Sequence, residues 1–282
     1  TSTYLAGFLF AATLIVLVSC IDDFYPLPPA LRLGVQILAG VIMVMSDVGI
    51  HSISNPFGEP FSLDTYRTVI GGFEIVWLAD MFTILWIVIL INSVNWLDGV
   101  SGMASGVGLI AAVAIFILST RPGFHVLDQY PVSIMSAVMV GILVVFVCFD
   151  FHPPKLLMGD SGSMFIGFTL AVLSIFSGGK VATAFLILGF PLLDFFWVIL
   201  QRIAAGKSPF QGKDKLHLHD KLMQSGWGIR QVIFSVYFLS ILFGFSALFL
   251  GTKGKFFAFL LLFVCMVMII LFSLHNPRKS NK

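Results

Sequence analysis

The sequence predicts an all-α polytopic membrane protein, and three observations carry that expectation. Of its 282 residues, 58% are hydrophobic and 11% are charged, whereas soluble domains run at roughly 45–50% and ~25%. Mean hydropathy is +1.01. Runs such as "FAATLIVLVSC", "MFTILWIVILI" and "FFAFLLLFVCMVMIILF" approach the roughly 20 apolar residues that cross a bilayer core as a helix. In lipid the backbone must satisfy its own polar groups, which favours helices throughout.

Nine spans are expected in order: 4–20, 31–46, 77–93, 102–119, 131–149, 162–177, 180–200, 229–250 and 255–274. The connections at 178–180 and 251–255 are short enough for tight turns. No soluble domain and no internal repeat interrupts the series, so 1–282 reads as one membrane domain. The connections alternate between two sides. With Arg32 and Arg230 assigned to the nearer connections, the side holding 21–30, 94–101, 150–161, 201–228 and the tail 275–282 collects 11 of the 16 Lys and Arg residues. The positive-inside rule makes that side cytoplasmic. The other side includes a Gly/Pro/Ser-bearing stretch, 47–76, expected to form a small hairpin or to lie on the membrane surface.

Composition also excludes some functions. A net charge of +2 gives no basic footprint for nucleic acid. Cys20, Cys148 and Cys265 lie in or beside apolar runs without paired spacing, which argues against a disulfide framework or a zinc motif. The chain starts at Thr1 and not at Met and opens almost directly into a helix without a charged leader, which reads as a fragment of a longer protein rather than a secretory signal.

The polar residues that do not suit lipid gather on the cytoplasmic side. "CIDDFYPLPPALRL" closes a helix with the adjacent carboxylates Asp22 and Asp23, bends at prolines and continues to Arg32. Neighbouring carboxylates repel, which a divalent cation relieves; a solvated helix end is the plain alternative. "NSVNWLDGVSG" spaces Asn92, Asn95 and Asp98 by three, putting them on one helical face. That face lines a polar cavity or pairs amides between helices. "MGDSGS" sets Asp160 ahead of a span, beside free backbone N–H groups and the positive end of the helix dipole. "GKSPFQGKDKLHLHDKL" brings Lys207, Lys213, Lys215 and Lys221 together with His217 and His219. His-x-His can ligate zinc, but no third and fourth ligand is spaced to join it, and a phosphate-binding role suits the loop better. Asp194, inside a span, is a functional candidate or half of an ion pair with Arg202 or a cation from another helix, and Asp80 is similarly ambiguous.

Asp22-Asp23, Asn92-x-x-Asn95-x-x-Asp98-Gly99, Gly159-Asp160-Ser161-Gly162 and His217-x-His219 occur in order and on one expected face. Through them the chain resembles the polyprenyl-phosphate N-acetylhexosaminyl-1-phosphate transferases, a superfamily that includes phospho-N-acetylmuramoyl-pentapeptide transferase. The "GKSPF" lead into the histidines resembles the undecaprenyl-phosphate GlcNAc-1-phosphate branch. That branch has about eleven spans with a cytoplasmic active site. The resemblance therefore implies a chain lacking its first two helices and the loop between them, and inactive on its own.

The implied reaction moves N-acetylhexosamine-1-phosphate, GlcNAc-1-phosphate foremost, from a UDP-sugar to undecaprenyl phosphate and releases UMP. It would begin cell-surface polysaccharide assembly at the cell membrane, with Mg2+ (or Mn2+) as cofactor. The implied partners are a UDP-N-acetylhexosamine, undecaprenyl phosphate and the lipid bilayer, with no nucleic acid; a homodimer stays open. By resemblance, Asp160 ligates the metal, and Asp98 and Asn95 support the metal or the diphosphate. His217 and His219 hold the diphosphate, while Asn92 and Arg32 contact substrate. Asp22 and Asp23 lie near the lipid phosphate, and whether either acts as a base stays open.

Three departures stand out: Ser101 where the family often has Asp, Leu157 where an aromatic is usual, and Asp220 in place of a final histidine. Ser101 and Leu157 match family positions near the nucleotide base, so they bear on uridine selectivity. Lys215 or Lys221 would compensate Asp220. The alternatives are the muramoyl-pentapeptide branch, a transporter with Asp194 and Asp80 on its path, and a non-catalytic homologue. A transporter predicts polar groups at mid-membrane depth, whereas here they cluster at one face.

Overall fold

A computed structural model describes residues 2–71, 73–121, 129–176, 181–208 and 216–275. The chain forms α1 (Ser2–Phe24), α2 (Pro29–Met45), α3 (Trp77–Leu97), α4 (Met103–Ser119), α5 (Tyr130–Asp150), α6 (Gly159–Phe176), α7 (Val181–Ile187), α8 (Gly189–Ala204), α9 (Leu218–Gln224), α10 (Ile229–Phe249) and α11 (Thr252–His275). Between α2 and α3 lie β1 (Ser52–Ile53), β2 (Phe61–Ser62), β3 (Arg67–Ile70) and β4 (Phe73–Val76). They pair as two antiparallel hairpins, with Ser52 opposite Ser62 and Arg67 opposite Val76. The expected hairpin in 47–76 is thus a pair of hairpins.

Six helices (α1, α3, α5, α6, α10 and α11) are long and apolar enough to cross a membrane. They account for six of the nine expected spans. Two more are the apolar 17-residue helices α2 and α4. The ninth, expected as one helix over 180–200, is divided at Leu188 into α7 and α8. Pro191 explains the division: it has no N–H for the Ile187 carbonyl, and its ring crowds the carbonyl four residues back. Placed in the first turn of α8, where amides lack helical partners anyway, it costs little.

Helix α6 is the centre of the bundle, with 67% of its apolar window buried. It packs on α1, α3 and α4. Gly167 permits the α3 contact: a Cβ there would lie 2.7 Å from the Ile91 Cα and 2.9 Å from the Leu90 carbonyl oxygen. Close backbone approach at a small residue is how apolar helices gain packing energy where lipid supplies no hydrophobic drive. On the α1 side of α6, buried Phe168 stacks on Phe8 with ring centroids 5.5 Å apart.

The 21 residues of α3 separate its ends by about 30 Å. The hairpins lie at its start, where Asp80 accepts the Val76 amide at 2.9 Å. This settles one ambiguous acid as a partner of the helix start. His51 and Asp64 pair at 2.8 Å, and Arg67 donates to Glu74 at 2.9 Å, near the same end. Asn92, Asn95 and Asp98 lie at the other end.

Candidate functional site

The site is built where α1 ends, α2 begins, α3 ends and α6 begins. The two adjacent carboxylates of α1 turn to different partners. Asp22 accepts the Leu27 amide at 2.6 Å and Arg32 Nη1 at 3.0 Å. Asp23 accepts the Asp160 amide at 2.8 Å and the Ser161 amide at 3.3 Å. The repulsion expected between them is therefore relieved by the protein itself. The α6 amides expected to be free are also taken: Asp23 caps that helix from another one, satisfying donors the first turn leaves open. Gly159, at φ +70°, permits this, because a Cβ would stand 3.0 Å from Asp23 Oδ2.

Asp160 sits in the first turn of α6, where the helix dipole favours negative charge. Its Oδ1 accepts Asn95 Nδ2 at 2.9 Å, and its Oδ2 accepts Arg32 Nη1 at 3.1 Å. Arg32 thus ties Asp22 to Asp160, with about a third of its side chain exposed. Asn95 also donates to Ser163 Oγ at 2.9 Å. One turn deeper, Asn92 donates to Gln36 Oε1 at 2.6 Å and to the Val88 carbonyl. The expected common face is therefore shared between two tasks: Asn95 holds Asp160, and Asn92 forms an amide pair with α2.

Asp98 caps the C-terminus of α3. Burial, reinforced by the carboxylates of Asp150, Asp160 and Asp23, pushes it up to about 8. Behind the turn, Asp150 is buried and accepts the Gly102 amide at 2.9 Å and Ser105 Oγ at 2.5 Å. Ser101 lies partly buried in that turn. Leu157, just before α6, leaves 72% of its surface exposed.

The histidines form an adjoining group. His217 Nδ1 lies 2.8 Å from Asp194 Oδ2, and the Leu218 amide donates to Asp194 Oδ1 at 2.7 Å. The partner of Asp194 is thus the His-x-His segment, and not Arg202. Arg202 instead stacks over Trp96, 4.7 Å from the ring centroid. The Trp96 ring meets His217 edge-on at 5.8 Å. His219 stacks on His217 with centroids 5.1 Å apart, and burial pushes its imidazole below the usual value, so it is neutral at pH 7. Gly99 joins the two groups: a Cβ there would be 3.3 Å from His219 Nε2. Asp220 Oδ2 stands 3.8 Å from that same nitrogen. Lys213 and Lys215 lie outside the described residues.

Two sets of side chains bear on a cation, and among the described residues only the second brings three ligand atoms close together. Asp160, Asp22, Asp23 and Asp98 with Asn95 offer only oxygens, which suit a hard divalent cation. The mutual repulsion felt by Asp98 is what such a cation offsets. Asp194, His217 and His219 offer ligand atoms within 4.8 Å of one another, supplying the third group that sequence spacing did not reveal. Gln36, Asp150 and Trp96 were also missed. Gln36 alone carried a signal, as an amide inside an apolar helix.

An apolar helical bundle that gathers carboxylates, amides and histidines at one end is a polytopic membrane protein with a polar pole. The chain belongs to glycosyl transferase family 4, whose profile matches residues 5–178. It is 29% identical over 276 residues to a probable undecaprenyl-phosphate N-acetylglucosaminyl 1-phosphate transferase of Bacillus subtilis, covering 96% of this chain and 72% of that one. It is 30% identical to a decaprenyl-phosphate N-acetylglucosaminephosphotransferase of Mycobacterium leprae, over 84% of this chain and 62% of that one. A phospho-N-acetylmuramoyl-pentapeptide-transferase of Shouchella clausii is 28% identical over 83% of this chain and 70% of its own. This chain thus spans between three-fifths and three-quarters of these relatives. Membership of the family sets the transporter alternative aside.

Proposed function

We propose that the protein transfers N-acetylhexosamine-1-phosphate, GlcNAc-1-phosphate foremost, from a UDP-sugar to undecaprenyl phosphate and releases UMP at the cytoplasmic face of the cell membrane. The observation that carries this is the convergence of Asp23, Asn95 and Arg32 on Asp160, with Asp22 joined through Arg32, at one pole of an apolar bundle. The acceptor named for the Bacillus relative is undecaprenyl phosphate, and a headgroup on an apolar tail reaches such a pole from within the bilayer.

An oxygen of the lipid phosphate attacks the phosphorus that bears the sugar. The bond from that phosphorus to the oxygen of the UMP phosphate breaks, and UMP leaves with the electron pair. Both reactants are anions, so the barrier is largely electrostatic. Magnesium, when bound, would offset the negative charge of the reacting phosphates. Asp160 would hold it with Asp98, oriented by Asn95 and Arg32. Asp23 fixes the α6 start that carries Asp160. Arg32 contributes positive charge beside the acceptor, and His217 and His219 face the diphosphate as hydrogen-bonding groups. Neutral His219 meets an anion as an N–H donor and not as a charge.

The test is UMP release by the purified full-length protein from UDP-GlcNAc with undecaprenyl phosphate. Magnesium-dependent release is expected, abolished by chelation and reduced at least about 100-fold by Asp160→Asn, as expected for loss of a group that stabilises transition-state charge, with the thermal melt unchanged. No release from any UDP-N-acetylhexosamine by folded protein, UDP-N-acetylmuramoyl-pentapeptide included, would refute the reading.

A further inference from the structure

Asp194 is an acid inside an apolar helix, 2% exposed, that the reaction above does not use. Burying a carboxylate in such a setting is costly unless its oxygens are satisfied by donors. Both are: Oδ1 accepts the Leu218 amide and Oδ2 lies 2.8 Å from His217 Nδ1. The Leu218 amide is the first of α9, and His217 is its N-cap residue. One carboxylate thus holds the backbone and the side chain of the histidine segment at once. Only a protonated Nδ1 can donate to a carboxylate, and a ring hydrogen bond of this kind fixes which nitrogen is left for other work. The ring plane is fixed as well, by His219 stacked 5.1 Å away and by the edge contact with Trp96.

We propose that Asp194 is a positioning residue for His217: it keeps the proton on Nδ1 and turns Nε2 toward the diphosphate of the nucleotide sugar. The substrate half of this rests on the function proposed above; the hydrogen-bond half does not. When Nε2 takes a proton to meet an anion, the imidazolium is compensated by Asp194 from behind. This is the logic by which a carboxylate behind a histidine orients it and tunes its basicity. A transition metal held by Asp194, His217 and His219 is the competing use of the same atoms. An ion there would require the 2.8 Å contact between His217 Nδ1 and Asp194 Oδ2 to open so that both atoms could turn to it.

The experiment uses the whole protein labelled with 15N-histidine, the His217 signals being assigned by their loss in His217→Gln. The wild type is expected to show His217 protonated at Nδ1 at neutral pH, and Asp194→Asn to shift it toward the other tautomer. In steady-state assays Asp194→Asn should raise KM for UDP-GlcNAc by about tenfold, as losses of such outer partners do, and leave KM for undecaprenyl phosphate unchanged. In a His217→Gln background the same substitution should add nothing, since Asp194 acts through His217. An Nε2-protonated His217 in the wild type would overturn the proposal. So would stoichiometric zinc or manganese bound through these residues, or an undiminished effect of Asp194→Asn without His217. If Asp194→Asn fails to fold, the wild-type spectrum still decides. If the wild type releases no UMP, the reaction assigned above falls, while the tautomer remains readable.

Discussion

Asp98 shows how a single residue feels the whole pole. It ends α3 among the carboxylates of Asp150, Asp160 and Asp23, and burial with their repulsion lifts it to about 8. Its folded value stands above the unfolded 3.8, so between these limits the folded state binds the extra proton. Stability then falls as pH rises, because the unfolded state holds fewer protons. In chelator, the melting temperature should decline from pH 5 to pH 8.5, and Asp98→Asn should flatten that decline. A melting profile indifferent to Asp98→Asn would place the charge elsewhere. The residue scale is also where sequence reasoning was most complete. Asp22, Asp23, Asn95 and Asp160 were singled out from their motifs, and the structure brings them within hydrogen-bonding reach of one another or of Arg32. What the motifs did not disclose is division of labour. Nothing in "IDD" says that Asp22 turns to Arg32 while Asp23 caps α6, since that depends on where two helices distant in sequence meet.

At the scale of elements, the seam between α3 and α6 carries the site. It sets Asn95 against Asp160, and it closes only because Gly167 lets the backbones touch. Gly167→Val forces a Cβ into the Ile91 backbone, and overpacking of this kind typically costs about 1–3 kcal/mol. Thermal melting in detergent should fall accordingly, with UMP release falling alongside as Asn95 and Asp160 part. Gly34→Ala, where a Cβ meets nothing within 4 Å, should leave both unchanged and is the control. Most helices were legible as apolar runs, with ends displaced by a few residues. The division of 180–200 at Leu188 was missed because apolarity alone does not mark a break. Pro191 was the available signal.

For the whole molecule, the prediction concerns sidedness. The carboxylate pole and the hairpins lie at opposite ends of α3, and the sequence assigns the excess of Lys and Arg to the connections expected on the pole's side. Once Cys20, Cys148 and Cys265 are replaced by serine, Glu59→Cys should react with a membrane-impermeant maleimide in intact cells. Leu156→Cys, beside the pole and exposed, should react only after permeabilisation. The opposite pattern would turn the site outward, away from cytoplasmic nucleotide sugars.

The sequence alone determined the all-helical membrane class, the motif residues and the side of the bundle on which they fall, because hydropathy and charge act locally along the chain. Tertiary structure decided the rest. It split the Asp22-Asp23 pair, committed Asn92 to Gln36, and broke one expected span into α7 and α8. It also gave Asp194 its partner in His217. The reason is physical: hydrophobicity sums over a stretch of sequence, whereas a hydrogen bond between residues as far apart as Asp23 and Asp160 exists only once packed helices bring donor and acceptor together.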